Sequence, residues 1–272
     1  MATKQIRKAA VIGAGTMGRG IAAHLANARI PVELLDIVPM NPDEDVDTED
    51  PAWRNKLARE SIEQMPNDKP LSAVYTDKDL DLIRPGNVED HLDRLEDVDW
   101  IVEAVPESMP IKQETFDKIE DHAADDAIIA SNTSGLSIEG MLEDRSEDFR
   151  SRFIVTHFFN PVRVMKLLEV VPGEDTDPEV VETVEQFGRD ELGKGIVFGK
   201  DTTNFIANRI GVHGMMTIIH KMDEFGMTIE DIDQIFAKPM ARPKSAVFKT
   251  ADMVGLDTFV HVADNCYDSL ED

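Results

Sequence analysis

The sequence predicts an α/β protein with a doubly wound, mostly parallel sheet, followed by a smaller all-helical domain. Apart from residues 39–97, short apolar segments alternate with amphipathic segments as far as residue 199, and the loops between them are short. Such alternation is typical of parallel sheets with right-handed crossovers. From residue 200 the clearest apolar pattern has helical spacing. We therefore predict a sheet domain over residues 1–199 and a helical domain over residues 200–272.

The first strand is predicted at residues 8–12 and leads into the motif GAGTMG and then a helix, RGIAAHLANA. Each glycine of this motif has a physical role in binding a dinucleotide. Gly13 permits the tight turn, Gly15 lets the backbone approach a pyrophosphate, and Gly18 lets the helix pack closely on the strand. The amino end of the helix then faces the phosphates.

The second strand, PVELLD, ends at Asp36, about 20 residues after the glycines. A carboxylate at this position can bind both hydroxyls of the adenosine ribose. The next residues are Ile37 and Val38, so no arginine follows to receive a 2′-phosphate. Strand, glycine motif, helix and Asp36 together predict a Rossmann domain that binds NAD rather than NADP.

Residues 39–97 are polar, acidic and biased towards helix, with PAWRNKLARESIEQM as the clearest amphipathic piece. We interpret this segment as a helical hairpin that projects from the sheet. Ser61 and Lys69 on it are candidates to meet a substrate. A solvated linker with two helices explains the composition equally well.

The sheet resumes with VDWIVEAVPE, AIIASNTSGLSI and FRSRFIVTHFF, each a strand followed by a loop. The loops gather at the carboxyl ends of the strands, where ligands bind in such sheets. Turn chemistry or helix capping would explain each polar residue there by itself. Their convergence on one edge favours a functional role for Glu107, Lys112, Asn132, Ser134 and Asn160.

The segment THFFNPVRVMKLLEVV places one histidine and one carboxylate in apolar surroundings. It predicts two neighbouring strands joined through the turn at residues 160–161. Paired across that turn, His157 and Glu169 could share a hydrogen bond. A carboxylate fixes the tautomer of an imidazole and favours its protonated form, as a general base requires. The alternative is a strand pair with a core histidine and a glutamate at its rim.

The segment DPEVVETVEQFGRDELG predicts a helix and KGIVFG a last short strand, after which residues 199–203 form a hinge. The long helix that follows, TNFIANRIGVHGMMTIIHKMDEFG, carries Asn208 near its apolar face. A buried amide needs hydrogen-bond partners. Asn208 is therefore either a tie between domains or a ligand for a substrate oxygen.

The composition is strongly acidic, with 54 acidic and 28 basic residues in a chain of 272 and a formal charge of -26. This surface repels nucleic acid and anionic membranes. A basic partner could account for the charge, but the acidic residues are spread along the chain, which favours adaptation to high salt, as in halophilic proteins. The single cysteine, Cys266, fits a reducing cytoplasm. No export signal, membrane-spanning segment or metal site is predicted.

In combination and order, these motifs resemble the 3-hydroxyacyl-CoA dehydrogenase family. The resemblance extends over nearly the whole chain and is carried by VIGAGTMGRGIA, VEAVPE with IKQETF, ASNTS, THFFNPVRVMKLLEVV and KDTTNFIANRIG. The later segment ARPKSAVFKTADMVGLDTFVHVADN is most similar to the branch that is fused to an enoyl-CoA hydratase domain.

The resemblance implies NAD-dependent oxidation of a 3-hydroxyacyl-CoA to a 3-oxoacyl-CoA, as in fatty acid β-oxidation. It implies that His157 is the general base, Glu169 its partner, Ser134 a hydrogen-bond donor to the substrate oxygen and Asn208 a further polar contact. It also implies a homodimer formed through the helical domain, and an enoyl-CoA hydratase domain or subunit as a possible partner.

By the same resemblance, Glu107, Lys112 and Asn160 lie near the nicotinamide half of NAD, and we include Asn132 among the cofactor-binding candidates. Two departures stand out. The family usually has Pro-Gly where this chain has Thr203-Asn204. The chain also ends before the family's closing helical segment, which a natural end, a split gene or a fragment would each explain.

Two other functions remain open from the sequence. A dehydrogenase of small hydroxy acids would share the glycine motif and Asp36 but would not need the pair of His157 and Glu169. A non-catalytic relative could bind NAD for stability alone.

Overall fold

A computed structural model describes residues 4–42, 46–240 and 245–269. The chain forms two compact units, Met1–Asp201 and Thr202–Asp272. The first contains one sheet flanked by helices, and the second contains only helices and turns among its described residues.

One eight-stranded sheet organises the first unit. In chain order its strands are β1 Ala9–Ile12, β2 Val32–Asp36, β3 Ile83–Asn87, β4 Trp100–Glu103, β5 Ile128–Ser131, β6 Phe153–Phe158, β7 Leu167–Pro172 and β8 Gly195–Phe198. Their order across the sheet is β3-β2-β1-β4-β5-β6-β7-β8. Every pair from β3 to β6 is parallel, β7 runs antiparallel to β6, and β8 is parallel to β7. The predicted doubly wound, mostly parallel sheet is confirmed.

The helices of the first unit cover both faces of this sheet. They are α1 Thr16–Asn27, α2 Pro51–Arg54, α3 Lys56–Gln64, α4 Met109–His122, α5 Ile138–Met141, α6 Glu147–Ser151 and α7 Pro178–Asp190. All residues of β1, β4, β5 and β6 are buried. Parallel strands with both faces covered require such apolar sequences. The sheet is therefore a rigid platform for the loops at its carboxyl edge.

The segment from residue 39 to residue 97 differs from the predicted helical hairpin. Its two regular helices, α2 and α3, are short, and the rest contains three 3₁₀ turns, Met65–Asn67, Asp77–Leu82 and Leu92–Asp97. Between the last two turns, β3 pairs in parallel with β2 and extends the sheet. The strand was not predicted because its sequence, IRPGN, contains proline and glycine, which are depleted in strands. An edge strand tolerates them. Residues 43–45 lie outside the described residues.

The second unit contains α8 Ala207–Phe225, α9 Ile229–Phe236, α10 Phe248–Val254 and α11 Leu256–Ser269. Ile218, Ile232 and Val247 form a small core. Among the described residues, no helix combines the length and apolar character needed to cross a bilayer.

The long helix of this unit starts later than predicted. Asn204 and Phe205 have φ angles of 59° and 45°, so the chain is not helical before Ala207. Asn204 stands where the family resemblance leads us to expect glycine, and asparagine tolerates this left-handed conformation better than most residues. Its Nδ2 donates to the carbonyl oxygen of Val262 at 2.9 Å and contacts Sγ of Cys266 at 2.8 Å. Asn204 thus ties the start of α8 to α11.

Candidate active site

The turn between β1 and α1 has the geometry of a dinucleotide-binding site. Gly13 has φ +99°, and a Cβ there would lie 2.6 Å from the carbonyl oxygen of Ala104. A Cβ on Gly18 would lie 1.7 Å from the carbonyl oxygen of Gly13, so only glycine allows α1 to pack this closely. Gly15 caps α1 and has open space around it. The amino end of α1 is therefore accessible to a pyrophosphate.

Asp36 lies at the end of β2, beside this turn. Its Oδ2 accepts a hydrogen bond from the amide of Ala14 at 2.5 Å, and its Oδ1 accepts one from the amide of Ile37 at 2.7 Å. A carboxylate has about four lone-pair positions. Two therefore remain for the hydroxyls of a ribose, and the predicted residues fit an NAD molecule.

His157 and Glu169 form a buried hydrogen-bonded pair. They are opposite partners in the antiparallel ladder between β6 and β7. Nδ1 of His157 lies 2.7 Å from Oε2 of Glu169, and the two residues are 4% and 0% exposed. The ring of Phe159 packs against the imidazole at a centroid distance of 4.4 Å. The strand register confirms the predicted pairing of the two residues. The hydrogen bond from the carboxylate to Nδ1 fixes the orientation of the imidazole ring.

The loop after β5 connects this pair to the rest of the carboxyl edge. Oδ1 of Asn132 accepts a hydrogen bond from the amide of Phe158 at 2.9 Å, next to His157. Two residues later, the half-buried Ser134 donates its backbone amide to Oε1 of Glu107 at 2.8 Å. These hydrogen bonds hold together the loops after β4 and β5 and the end of β6. Asn132 thus contributes to the stability of the carboxyl edge.

Lys112 is buried in an ion triad at the same edge. Its Nζ lies 2.8 and 3.0 Å from the two carboxylate oxygens of Glu103 and 3.2 Å from Oε2 of Glu107. The side chain of Lys112 is 1% exposed, whereas that of Glu107 is 27% exposed. The ammonium therefore donates hydrogen bonds to Glu103 and forms an ion pair with Glu107. Lys112 was predicted to bind the cofactor; its ammonium faces the two carboxylates, and a cofactor-binding role for it stays a prediction.

Asn160 and Lys69 lie together at a cavity that is separate from the pair of His157 and Glu169. They line a cavity of about 60 Å³ between the start of α1, residues 68–73 and residues 160–164. His157, Glu169 and Ser134 are not among the residues that line it. Ser61, the other candidate from the excursion, is 4% exposed, and its hydroxyl has no hydrogen-bond partner among the described residues. The structure places Ser61 in the interior, because it lies on the face of α3 that packs inward with Ala58.

Asn208 is the second residue of α8, in the second unit, and is half-buried.

Among the described residues, no cluster of His, Cys, Asp or Glu is arranged to hold a metal ion.

Two buried groups were not singled out from the sequence. Glu103, at the end of β4, accepts hydrogen bonds from Ser131 Oγ at 2.5 Å and from the amide of Val105 at 2.8 Å, besides those from Lys112. A glutamate inside the apolar run WIVEAV was the available signal, since a buried carboxylate requires a partner. Lys194 had no such signal, because it is the first residue of the predicted strand KGIVFG, where a lysine is usually exposed.

Lys194 anchors the turn between β6 and β7. Its Nζ donates to the carbonyl oxygens of Val162 and, at 2.8 Å, Met165. Burial lowers the pKa of Lys194 to about 8. Nearby, Nε2 of His24 lies 3.0 Å from the carbonyl oxygen of Leu192. Burial, reinforced by the charge of Lys194, lowers the pKa of His24 to about 4.

Residues 8–202 match the family model described as "3-hydroxyacyl-CoA dehydrogenase, NAD binding domain", and residues 205–272 match the model for the C-terminal domain of the same family. The chain belongs to the 3-hydroxyacyl-CoA dehydrogenase family. The family resemblance inferred from the motifs is confirmed, and so is NAD as the cofactor of the first domain.

Two curated bacterial relatives carry the same family name, and a third is named for fatty acid oxidation. A "Probable 3-hydroxyacyl-CoA dehydrogenase" from Bacillus subtilis is 45% identical over 98% of this chain, and one from Deinococcus radiodurans is 46% identical over 95%. A "Putative fatty acid oxidation complex trifunctional enzyme" from Rickettsia prowazekii is 36% identical over 98%. The chain spans 34%, 72% and 36% of the lengths of these three relatives, respectively. The trifunctional relative is consistent with the predicted likeness to the branch fused to a hydratase.

A solved structure in the family supports the fold. The crystal structure of (S)-3-hydroxybutyryl-CoA dehydrogenase PaaH1 from Ralstonia eutropha superimposes with a TM-score of 0.76 at 29% identity. The alignment covers 98% of this chain and 89% of that one. The predicted order of a Rossmann domain followed by a helical domain is therefore that of the family.

Proposed function

We propose that this protein oxidises a 3-hydroxyacyl-CoA to the 3-oxoacyl-CoA, with NAD as the hydride acceptor, as a step of fatty acid β-oxidation. The observation that carries the proposal is the buried hydrogen bond between His157 and Glu169 at the carboxyl edge of a sheet whose glycine turn fits NAD. Family membership and the names of the three relatives support the substrate class.

His157 is the general base in this proposal. Since Nδ1 faces Glu169, Nε2 is the nitrogen that receives the proton of the substrate's 3-hydroxyl. As that O–H bond breaks, the C3–H bond also breaks and its electron pair leaves as hydride. NAD, when bound, supplies the acceptor for this hydride. Glu169 stabilises the imidazolium that forms, because its carboxylate is in direct contact with the ring.

Ser134 and Asn208 are the other two residues that are proposed to contact the substrate beside His157. Ser134 would donate its hydroxyl to the substrate's oxygen, and its position is fixed by the hydrogen bond from its amide to Glu107. The family resemblance assigns Asn208 a further polar contact with the substrate. Lys69 and Asn160, which line the cavity beside α1, are proposed to contact the acyl-CoA and the cofactor, respectively.

The test is a spectrophotometric assay of NADH formation with 3-hydroxybutyryl-CoA and with free 3-hydroxybutyrate. We expect turnover of the thioester only. His157→Ala should lower kcat by on the order of a hundred- to ten-thousandfold, which is the usual contribution of a general base. Binding of NADH, followed by its fluorescence, should remain unchanged.

His122→Ala is the matched control, because His122 is half-buried at the far end of α4 and bonds only to the carbonyl oxygen of Lys118 in the described structure. Its kcat should equal that of the wild type. Equal turnover of the free acid would instead identify a dehydrogenase of small hydroxy acids. NADH binding without oxidation of NADH by acetoacetyl-CoA would identify a non-catalytic relative.

A further inference from the structure

The cavity beside α1 has a local excess of positive charge. Its lining residues include three cations, Arg19, Lys69 and Arg163, and one carboxylate, Asp68. The chain as a whole carries a formal charge of -26, so this cavity differs in sign from the average surface. Local positive charge attracts anions, and the nucleotide part of coenzyme A carries phosphate groups. The cavity therefore suits the nucleotide part of an acyl-CoA.

One wall of this cavity belongs to residues 68–75, which we call the cavity loop. At its tip, Lys69, Pro70 and Leu71 are exposed, and Lys69 and Leu71 line the cavity. The tip is thus accessible to a ligand, whereas both ends of the loop are bonded to the rest of the first unit.

The first residue of the cavity loop is held by α1 and α3. Nε and Nη2 of Arg19, on α1, each lie 3.1 Å from a carboxylate oxygen of Asp68. Nη1 of Arg19 donates to Oε1 of Gln64, the last residue of α3, at 2.8 Å. A guanidinium that meets a carboxylate through two nitrogens fixes its direction as well as its distance.

The other end of the cavity loop is held on one side by the last residue of α1, Asn27. Its Nδ2 donates to the carbonyl oxygen of Ala73 at 2.9 Å, and its Oδ1 accepts from the amide of Tyr75 at 2.9 Å. One amide side chain therefore pairs with the backbone of the loop on both of its polar atoms.

Arg163 holds the same end of the loop from the turn between β6 and β7. Its Nη1 donates to the carbonyl oxygens of Ser72 at 2.6 Å and Val74 at 3.2 Å. Its guanidinium carbon lies 4.2 Å from the centroid of the Tyr75 ring, within the range of a cation–π interaction. Arg163 thus connects the cavity loop to the turn that follows the strand of His157.

We propose that Arg163 is a positioning residue for the acyl-CoA, which holds the cavity loop in the conformation that binds the nucleotide part of the substrate. A loop that is ordered before binding does not lose conformational freedom when the ligand arrives, so the affinity is higher. His157 is aligned by the ladder between β6 and β7, so loss of Arg163 leaves the base in place. The inference rests on the proposed function, since it takes the substrate to be a coenzyme A thioester.

The experiment compares two substrates by steady-state kinetics of the whole protein. One is 3-hydroxybutyryl-CoA, and the other is the 3-hydroxybutyryl thioester of N-acetylcysteamine, which lacks the nucleotide. Arg163→Met removes the hydrogen bonds and the charge but keeps much of the length of the side chain. It should raise the KM for the CoA thioester on the order of tenfold, equivalent to ordering about one residue on binding. Its kcat, and kcat/KM for the short thioester, should stay within about twofold of the wild type.

Two further variants separate position from charge. Arg163→Lys keeps an ammonium that can donate to the same carbonyl oxygens and lie over the ring of Tyr75, so the KM should return to within about threefold of the wild type. Asn27→Ala leaves the charge unchanged but removes the hydrogen bonds on the other side of the same loop end. It should raise the KM for the CoA thioester alone, as Arg163→Met does.

Arg189→Met is the matched control. Arg189 is 50% exposed and pairs with Glu185 on its own helix, α7, and it is not among the residues that line the cavity. The constants for both substrates should therefore equal those of the wild type.

An equal fall of kcat/KM for both thioesters in Arg163→Met would show that Arg163 only supports the fold, and would overturn the inference. An unchanged KM for the CoA thioester would overturn it as well. Wild-type protein that oxidised neither thioester would contradict the proposed function. Calorimetry with CoA itself would then decide the inference, because Arg163→Met should still weaken CoA binding on the order of tenfold. Wild-type protein that bound no CoA would overturn both.

Discussion

Glu169 can assist His157 in two ways, by its charge and by holding the ring in place. Glu169→Gln separates them, because the amide oxygen can still accept a hydrogen bond from Nδ1 while the charge is lost. Charge-assisted hydrogen bonds contribute roughly 1.5–3 kcal/mol. Without the charge the imidazolium forms less readily, so kcat should fall by about ten- to a hundredfold. Steady-state assays with 3-hydroxybutyryl-CoA measure this.

The control for this variant is the thermal unfolding midpoint. Glu169 is fully buried, and a neutral amide is less costly to bury than a carboxylate. The midpoint should therefore be no lower than that of the wild type. A normal kcat in a folded variant would show that the carboxylate only positions the ring.

His24 should make the protein sensitive to mild acid. Its pKa is about 4 when folded, because of burial and then the charge of Lys194, against about 6.5 when unfolded. Between these values the unfolded chain binds a proton that the folded protein does not, so stability falls as pH falls. The full loss is roughly 3 kcal/mol. His24→Gln should remove this part of the loss between pH 6.5 and 4, as measured by urea unfolding.

The matched variant His122→Gln should follow the wild-type pH dependence, because His122 lies in a half-buried position at the end of a helix. A His24→Gln variant whose stability falls as steeply as that of the wild type would contradict the assignment.

At the level of residues, the sequence predicted pairs that are close along the chain. His157 and Glu169 flank one turn, so the hydrophobic pattern of two strands sets their register. Glu107 and Lys112 were predicted at this edge, but their contacts with Glu103 were not, because a periodic pattern does not specify how a strand end, a loop and a helix pack together. The functional roles of all these residues stay proposals.

At the level of elements, the turn between β6 and β7 is stabilised by Lys194. Lys194→Met would leave the carbonyl oxygens of Val162 and Met165 without this donor. An unsatisfied buried acceptor costs about 1–3 kcal/mol, and relief of the burial cost of the ammonium offsets part of this. We expect a net loss of roughly 1–2 kcal/mol at pH 7 by urea unfolding. The activity should change only severalfold, because the five residue pairs of the ladder between β6 and β7 still align His157 with Glu169.

Lys166→Met is the control in the same turn, since Lys166 is exposed. Surface substitutions of this kind usually stay within about 0.5 kcal/mol. If both variants were equally stable, Lys194 would contribute nothing to the turn.

Elements with strong periodicity were predicted well, and elements that depend on tertiary pairing were not. The strands β1, β4, β5 and β6 are short, apolar and bounded by turn residues, which is sufficient to identify them. The strand β3 exists because β2 offers it an open edge. Likewise, the delayed start of α8 depends on contacts of Asn204 with a helix almost sixty residues away, at Val262.

For the whole molecule, the formal charge of -26 should make stability depend on salt. Self-repulsion among exposed carboxylates destabilises the compact state, and it is screened over about 3 Å at 1 M salt against about 10 Å at 0.1 M. We expect the unfolding midpoint to rise as KCl is raised from about 0.1 to about 2 M.

A variant with fewer surface charges distinguishes the screening of charge repulsion by salt from the general stabilisation that solutes provide. Glu139 and Glu143 are exposed and line the same surface depression, together with Asp144. Glu139→Gln combined with Glu143→Gln removes two negative charges from this surface, so the variant should be more stable than the wild type at low salt and gain less from KCl. Sucrose stabilises proteins by exclusion from their surface and should stabilise both proteins equally. If KCl raised the unfolding midpoint of the double variant as much as that of the wild type, the salt dependence would not arise from the acidic surface.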